Sequence, residues 1–224
     1  MTESETDFDV QRWRMVQIIQ AYAEQSEART GKPEFSDRVM RAAAKVPRHE
    51  FVPAEVKPYA YQDGPLPIGY DKTISQPFIV ALMTDLLEIR PRNRVLEIGG
   101  GLGYHTALLA ELAGAVYSIE IIEELAEQAR ENLNEQGYDA VECRIGDGSR
   151  GWPEHAPFDR ILVGAAAEPV PTALLDQLAH SGRMVIPTGV PEAQALTLIV
   201  KDDDGRIETR DILPVRFALL ESYH

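Results

Sequence analysis

The chain has 224 residues, and 22 lysine and arginine residues against 36 aspartate and glutamate residues give it a net charge of −14. This length suits one α/β domain with a single core, and 44% hydrophobic with 26% charged residues excludes wholesale disorder. The acidic balance argues against binding to nucleic acid or to an anionic membrane surface, because both depend on clustered basic residues. We therefore expect neither as a partner.

A single cysteine, Cys143, excludes an internal disulfide and suits a reducing compartment. The first twenty residues lack the pattern of a secretory signal, and no stretch approaches the roughly 18–20 apolar residues that span a bilayer. The histidines show no metal-ligand spacing. These features predict a cytoplasmic protein without a bound metal, and we take it to be a monomer.

The first third of the chain predicts two helices and a long loop. Apolar residues recur at helical spacing over 8–28, and Ser36 precedes a second predicted helix over 37–45. The segment 46–76 is rich in proline, glycine and tyrosine, so it forms neither a regular helix nor a central strand. A structured loop of about thirty residues inside a compact domain is typical of a binding function.

The rest of the chain alternates between strands and helices. Strands are predicted at 94–98, 115–119, 140–145, 160–163 and 183–187, and helices at 77–88, 106–112, 123–135 and 172–178. This alternation predicts a Rossmann-like, mostly parallel sheet covered on both faces. The residues 196–213 read as a hairpin around Asp204-Gly205, so the sheet is expected to end in an antiparallel pair. We predict one domain, with helices and a substrate loop over 1–76 and the cofactor-binding sheet and final hairpin over 77–224.

A glycine-rich turn follows the first of these strands, with Gly99, Gly101 and Gly103 spaced as G-x-G-x-G. Glycine lets the backbone turn sharply and approach a ligand, and the next helix begins with unpaired N–H groups. The spacing is not the G-x-G-x-x-G of the dinucleotide fingerprint. Taken alone, such a turn is also compatible with an ordinary tight connection between a strand and a helix.

Three acids strengthen the interpretation as a nucleotide site. Glu97 ends the first strand and is expected to face the cofactor crevice, and Glu120 ends the second strand, where an acid typically binds ribose hydroxyls. Asp147 follows the third strand as an acceptor for the adenine amino group, and Gly148 leaves room for the base. Acids without a nearby lysine or arginine favour S-adenosylmethionine, which carries a sulfonium, over NAD.

Several segments resemble the protein-L-isoaspartate O-methyltransferase family over about residues 35–219. They are VPRHEFVP, DGPLPIGYDKTISQP, VLEIGGGLGYHTALLA and GDGSRGWPEHAPFDRILVGAAAEPVPTALLDQL. The resemblance implies a class I methyltransferase that transfers a methyl group from S-adenosylmethionine to the α-carboxylate of L-isoaspartyl residues in damaged proteins and peptides, and so initiates repair through a succinimide. That carboxylate has a pKa of about 3.5, so the transfer needs alignment and no general base.

The resemblance also implies site residues. Ser75 matches the family's active-site serine, and its hydroxyl would hold the carboxylate ahead of a helix N-terminus that favours an anion. Position alone favours an ordinary N-cap two residues before Pro77, and the resemblance to the family reverses that preference. The implied cofactor contacts are Thr73, Ile74, Ser75, Glu97, Gly99, Gly101, Gly103, Glu120, Ile121, Asp147 and Gly148. The implied substrate contacts are Ile68, Ser75, Val215, Arg216 and Phe217.

Two departures from the family pattern limit what the resemblance implies. Ala218-Leu219 stands where the family has Val-Pro, which leaves the peptide preference open, and Gly100 and Leu102 stand where many members have hydroxyl residues. Two other functions remain open at this point. One is methylation of a specific Asp in a dedicated peptide to form an aspartimide, and the other is a module that binds S-adenosylmethionine without turnover.

Overall fold

The computed structural model describes the chain from residue 3 to residue 223 and contains six α-helices and nine strands in that range. The helices are α1 (Glu3–Thr30), α2 (Asp37–Lys45), α3 (Pro77–Leu86), α4 (Tyr104–Ala110), α5 (Glu123–Glu135) and α6 (Thr172–Gln177). The strands are β1 (Leu66–Gly69), β2 (Lys72–Ile74), β3 (Arg94–Ile98), β4 (Ala115–Glu120), β5 (Glu142–Ile145), β6 (Phe158–Val163), β7 (Leu178–Val190), β8 (Ala193–Lys201) and β9 (Ile207–Val215).

Seven strands form one sheet in the order β5-β4-β3-β6-β7-β8-β9. The first five strands in this order, β5, β4, β3, β6 and β7, are parallel to one another. In contrast, β8 pairs antiparallel with both β7 and β9. The predicted parallel sheet is confirmed, and its antiparallel end has three strands where the sequence predicted a pair. The difference arises because β7 continues to Val190 and returns at once as β8.

The order of strands creates a crevice beside β3. The chain runs outward from β3 to β4 and β5, and then returns to place β6 on the other side of β3. In open α/β sheets, ligands bind at such a switch point, outside the carboxyl ends of the strands. Glu120 ends β4 and the glycine-rich turn follows β3, so the fold brings both to this edge.

Both faces of the sheet are buried. Alternate residues of β6 enter two separate hydrophobic clusters, with Leu162 in one and Ile161 and Val163 in the other. The larger cluster lies beneath α1 to α5, and the smaller one includes Leu174 of α6. This alternation follows from the period of two along a strand, and covered faces are typical of parallel sheets.

The segment 46–76 is ordered around short elements, as the sequence predicted. Two 3₁₀ helices, Arg48–Phe51 and Ala54–Tyr59, lead into a small antiparallel sheet made of β1 and β2. Ile68 and Ile74 are buried in the larger cluster, which attaches this hairpin to the main body. The loop therefore lies at the edge of the sheet where the crevice opens.

Residues 3–223 contain neither a membrane-spanning helix nor a cluster of metal-binding side chains. None of the helices in this range is long and apolar enough to cross a membrane. The same residues bring together no group of three or more His, Cys, Asp and Glu side chains that could hold a metal ion.

Candidate active site

The crevice is a cavity of about 730 Å³ with two distinct walls. We call the first the sheet wall; it consists of Ile98, Gly99, Gly101, Ile119, Glu120, Ile121, Leu125, Gly148, Gly164 and Ala165. We call the second the loop wall; it consists of Pro65, Ile68, Asp71, Lys72, Thr73, Ser75, Gln76, Ile79 and residues 214–221. A smaller cavity of about 60 Å³ lies deeper and contacts both Ser75 and the glycine-rich turn.

The glycine-rich turn supplies backbone to the sheet wall. Gly99 and Gly101 line the cavity with φ angles of +82° and +56°, which favour glycine. Gly103 does not line the cavity, and instead it directly precedes α4, where an added Cβ would lie 3.1 Å from Leu133 Cγ. The structure thus places two of the three predicted glycines at the cavity, whereas the third packs against α5.

Glu120 lies on the sheet wall as the sequence predicted. Its Oε2 accepts a hydrogen bond of 2.8 Å from the Gly101 N–H, and its Oε1 accepts one of 3.0 Å from the Ile122 N–H. The neighbouring Ile121 also lines the cavity. The carboxylate is fixed at the wall and has remaining lone pairs, so it is suited to accept hydrogen bonds from ribose hydroxyls.

Glu97 differs from its prediction, because its carboxylate is fully buried behind the glycine-rich turn and does not line the cavity. Glu97 is the cross-strand partner of Ser118, so both side chains point to the same face of the sheet. Its Oε2 accepts hydrogen bonds from Thr106 Oγ1 at 2.5 Å and Ser118 Oγ at 2.7 Å, whereas Oε1 has no partner among the described residues. Burial raises the pKa of Glu97 to about 7.

Asp147 also lies behind the cavity surface, while the adjacent Gly148 lines it. Asp147 Oδ1 accepts hydrogen bonds from Ser149 N at 2.9 Å and Ser149 Oγ at 2.6 Å, and Oδ2 accepts one of 3.3 Å from Tyr223 N. Burial alone would raise the pKa of Asp147, but these hydrogen bonds outweigh it and lower the pKa. A Cβ at Gly148 would lie 2.3 Å from Ile98 Cγ2, so only glycine fits there.

Ser75 lies on the loop wall and also lines the smaller cavity. Gln76 is the N-cap of α3, so the N-cap reading of Ser75 is wrong. The Ser75 hydroxyl donates to no protein atom in the described part of the chain, although its carbonyl accepts from Arg48. Thr73 lines the main cavity, whereas Ile74 is buried and contacts only the smaller one. The serine hydroxyl is therefore available to a ligand.

The start of α3 is already occupied by a carboxylate of the protein. Asp63 Oδ2 accepts a hydrogen bond of 2.6 Å from Gln76 Nε2, and Asp63 Oδ1 accepts one of 3.4 Å from Phe78 N. The sequence predicts that this helix N-terminus favours the anion of the substrate. Because Asp63 holds that position, this prediction is corrected. The positive end of the helix dipole offsets the charge of the Asp63 carboxylate.

The end of the chain forms the other part of the loop wall. The predicted substrate residues Ile68, Val215, Arg216 and Phe217 all line the cavity. The tail continues across the opening, where Leu219 forms a parallel bridge with Ala166 and Lys72 Nζ lies 2.5 Å from Glu221 Oε1. Sequence reasoning missed Lys72 and Glu221, because their ion pair joins residues 149 positions apart.

The fold is that of the class I, S-adenosylmethionine-dependent methyltransferases, which confirms the predicted fold class. The family model described as protein-L-isoaspartate(D-aspartate) O-methyltransferase matches residues 26–223. The chain belongs to this family, which confirms the resemblance seen in its sequence.

Individual relatives agree with this family. The chain is 58% identical over 220 residues to protein-L-isoaspartate O-methyltransferase 1 of Polaromonas sp. strain JS666, covering 98% of this chain and 93% of the relative. It is 52% identical over 193 residues to the Aeropyrum pernix protein-L-isoaspartate O-methyltransferase, covering 84% of this chain and 74% of the relative.

Two solved structures are similar to the whole fold. A protein-L-isoaspartate O-methyltransferase superposes with a TM-score of 0.81 at 29% identity; the match covers 93% of this chain and 65% of that one. A Plasmodium falciparum protein, described as a protein-L-isoaspartate O-methyltransferase and solved in complex with S-adenosyl-L-homocysteine, has a TM-score of 0.75 at 26% identity, with 84% and 92% coverage.

Proposed function

We propose that the cavity transfers a methyl group from S-adenosylmethionine to the α-carboxylate of L-isoaspartyl residues in damaged proteins and peptides, and that Ser75 orients this carboxylate. The resulting ester closes to a succinimide without further help from the enzyme, which begins repair of the damaged residue. The observation that carries the proposal is a serine hydroxyl that bonds to no other described residue and lines the same cavity as the glycine-rich turn, in a chain that belongs to this family.

The residues of the sheet wall fit the cofactor. Glu120 presents lone pairs for the ribose, and Gly99 and Gly101 present backbone without a Cβ. We expect the adenine to lie against Gly148, which lines the cavity without a side chain. Glu97 and Asp147 support these contacts from behind by holding Ser118, Thr106, Ser149 and the tail in place.

Bound S-adenosylmethionine supplies the methyl group as an electrophile on a sulfonium. The chain's own part is alignment, because the α-carboxylate is already ionised at neutral pH and attacks without a general base. Correct alignment of the reacting atoms contributes up to roughly 7–11 kcal/mol to a barrier. The Ser75 hydroxyl donates a hydrogen bond to one carboxylate oxygen and leaves the other free to attack.

The loop wall suits an extended peptide. Ile68 and Phe217 provide apolar contacts, Arg216 is exposed at the rim, and the backbone of 215–217 continues the edge strand β9. We propose that isoaspartyl peptides lie between β1–β2 and this segment. A monomeric state and a cytoplasmic location belong to the same proposal, the second supported by a single, half-buried cysteine.

The experiment uses two peptides that differ only in one linkage, isoaspartyl in one and aspartyl in the other. The protein is incubated with each peptide and S-adenosylmethionine labelled with tritium in the methyl group, and base-labile label is counted. We expect label on the isoaspartyl peptide alone. Label on neither peptide, with the cofactor still bound in calorimetry, would show a binding module without turnover. Label on an unmodified aspartyl peptide would show a dedicated aspartyl methyltransferase.

A further inference from the structure

Arg48 is a buried cation next to the candidate active-site serine, and nothing in the sequence pattern assigned it a role. Its side chain is fully buried. Its Nη2 donates a hydrogen bond of 2.8 Å to the Ser75 carbonyl, and its Nε donates one of 2.8 Å to the Ala60 carbonyl. The remaining nitrogen, Nη1, has no hydrogen-bond partner among the described residues.

Within residues 7–223, Arg48 takes part in no ion pair, although its guanidinium lies 4.8 Å from the centre of the Tyr104 ring. The acid whose charge acts on it is Asp63, but that carboxylate is bonded to Gln76 and to the start of α3. An arginine stays protonated in proteins, and a buried charge without a counter-ion is costly. This arrangement leaves a positive charge beside Ser75 that forms an ion pair with no carboxylate of the described residues.

The other cations of the loop wall do not fill this role. Lys72 is paired with Glu221, and Arg216 is exposed to solvent at the rim, where water screens its charge. Asp63 occupies the helix start that could have favoured an anion. With Lys72 paired, Arg216 at the solvent-exposed rim and the helix start occupied, the Arg48 guanidinium is the protein's buried positive charge next to Ser75.

We propose that Arg48 is a positioning residue of the active site: its guanidinium fixes the Ser75 backbone, and its unpaired charge makes the site select an α-carboxylate over a neutral group. The inference rests on the function proposed above. The planar fork of arginine spans the Ala60 and Ser75 carbonyls, which lie in separate segments of the chain, whereas a lysine has a single ammonium for both. The bound carboxylate then completes the charge balance that the unliganded fold leaves open.

The test compares two peptides in their affinity for the protein saturated with S-adenosyl-L-homocysteine, which lacks the sulfonium charge. One peptide has the isoaspartyl α-carboxylate and the other the matching α-carboxamide. We expect the wild-type protein to bind the carboxylate about tenfold more tightly or better, and Arg48→Met to bring this ratio close to one. Loss of packing alone would weaken both peptides together and leave the ratio unchanged.

Arg160 provides the matched control. It is also a buried arginine with an unpartnered nitrogen among the described residues. Its guanidinium, however, binds the carbonyls of Glu88, Asp159 and Ser181 near the start of β6, at the end of the parallel strands away from the cavity. Arg160→Met should keep the wild-type ratio of the two affinities. An equal drop in the ratio for Arg160→Met would overturn the inference, as would a folded Arg48→Met protein with the wild-type ratio.

If the Arg48→Met protein does not fold, Arg48→Lys tests whether the charge at position 48 sets the ratio of the two peptide affinities. It keeps the charge and loses the bridge, so we expect the affinity ratio within about threefold of wild type and kcat lowered about tenfold. A ratio near one in Arg48→Lys, or in the wild-type protein itself, would contradict the proposal. Failure of the methylation assay with wild-type protein would instead refute the proposed function, so the two failures are distinguishable.

Discussion

The two walls of the cavity use their polar groups in different ways. On the sheet wall and directly behind it, the carboxylates of Glu120, Glu97 and Asp147 accept hydrogen bonds from neighbouring backbone and hydroxyl groups. On the loop wall, the Ser75 hydroxyl and the Arg216 guanidinium have no protein partner among the residues described.

This difference separates groups that hold the fold together from groups that wait for a ligand. A buried acid that satisfies backbone donors contributes to stability as well as to binding, since its loss leaves those donors unpaired. A hydroxyl without a partner loses little stability when it is removed. Substitutions of the hydrogen-bonded acids at the sheet wall should therefore affect both stability and cofactor affinity, whereas removal of the Ser75 hydroxyl should affect turnover alone.

The largest effect is expected for Ser75→Ala. Removing one donor that holds a reacting anion lowers kcat by roughly 100-fold, equivalent to about 2.7 kcal/mol. The affinity for S-adenosyl-L-homocysteine in calorimetry and the thermal midpoint should stay close to wild type. Ser36→Ala, at an exposed N-cap without a side-chain hydrogen bond, is the control and should retain full turnover. Equal losses of turnover and cofactor affinity would contradict the division between the walls.

The second effect is a pH dependence that comes from Glu97. The pKa of its carboxyl is about 7 in the folded protein against an ordinary 4.5, so between these values the folded state binds the extra proton. The free energy of unfolding therefore falls as the pH rises from about 4.5 to 7, because the folded state must give up a proton that it binds more tightly than the unfolded state does. Between pH 5.5 and pH 8 this amounts to about 2 kcal/mol.

Glu97→Gln removes this titration and keeps an oxygen that can accept from Thr106 and Ser118. Urea unfolding of both proteins at pH 5.5 and pH 8 measures the effect. Relative to the variant, the wild-type protein should lose about 2 kcal/mol over this range. A difference between the two proteins that does not change with pH would show that Glu97 titrates normally.

The third effect tests the sheet wall through Glu120→Gln. A glutamine has one acceptor oxygen for the two backbone donors of Gly101 and Ile122, so both the wall and the ribose contacts weaken. We expect about tenfold weaker binding of S-adenosyl-L-homocysteine, or about 1.4 kcal/mol, together with a lower thermal midpoint. Glu124→Gln, exposed at the start of α5, removes the same charge without either bond and should change neither.

The smallest effect is expected at the ion pair that joins the tail to the hairpin. Lys72 and Glu221 are partly exposed, and such pairs are worth about 0–1 kcal/mol. Lys72→Met should speed the dissociation of S-adenosyl-L-homocysteine less than about threefold in stopped-flow measurements, and it should abolish the acceleration by salt that we expect for the wild-type protein. A much larger change would mean that the tail, and not the sheet wall, controls retention of the cofactor.

Local patterns were enough to predict much of the sheet wall. The strands, the glycine-rich turn and Glu120 follow one another along the chain, and parallel strands bring their carboxyl ends to one edge. The orientation of Glu97 was predicted incorrectly, because position at the end of a strand does not reveal which face the side chain takes. That face depends on its register with Ser118.

The contacts of the loop wall depend on long-range packing. Asp63 reaches the start of α3 from a turn 15 residues earlier, and Arg48 reaches Ser75 across 27 residues. No periodicity or motif specifies such partners, because they are set by how the irregular segment 46–76 folds against the rest of the core. The same is true of Glu221, which meets Lys72 only when the tail crosses the cavity.

The sequence by itself determined the fold class, the family and the glycine-rich turn, since these depend on residue types at short, regular spacing. The tertiary structure decided how charge is distributed around the site. A net charge of −14 revealed nothing about the place where an anion binds. Only the folded chain shows that Asp63 occupies the helix start while Arg48 has no ion-pair partner among the described residues, because electrostatic interaction depends on distance in space and on burial, not on position along the chain.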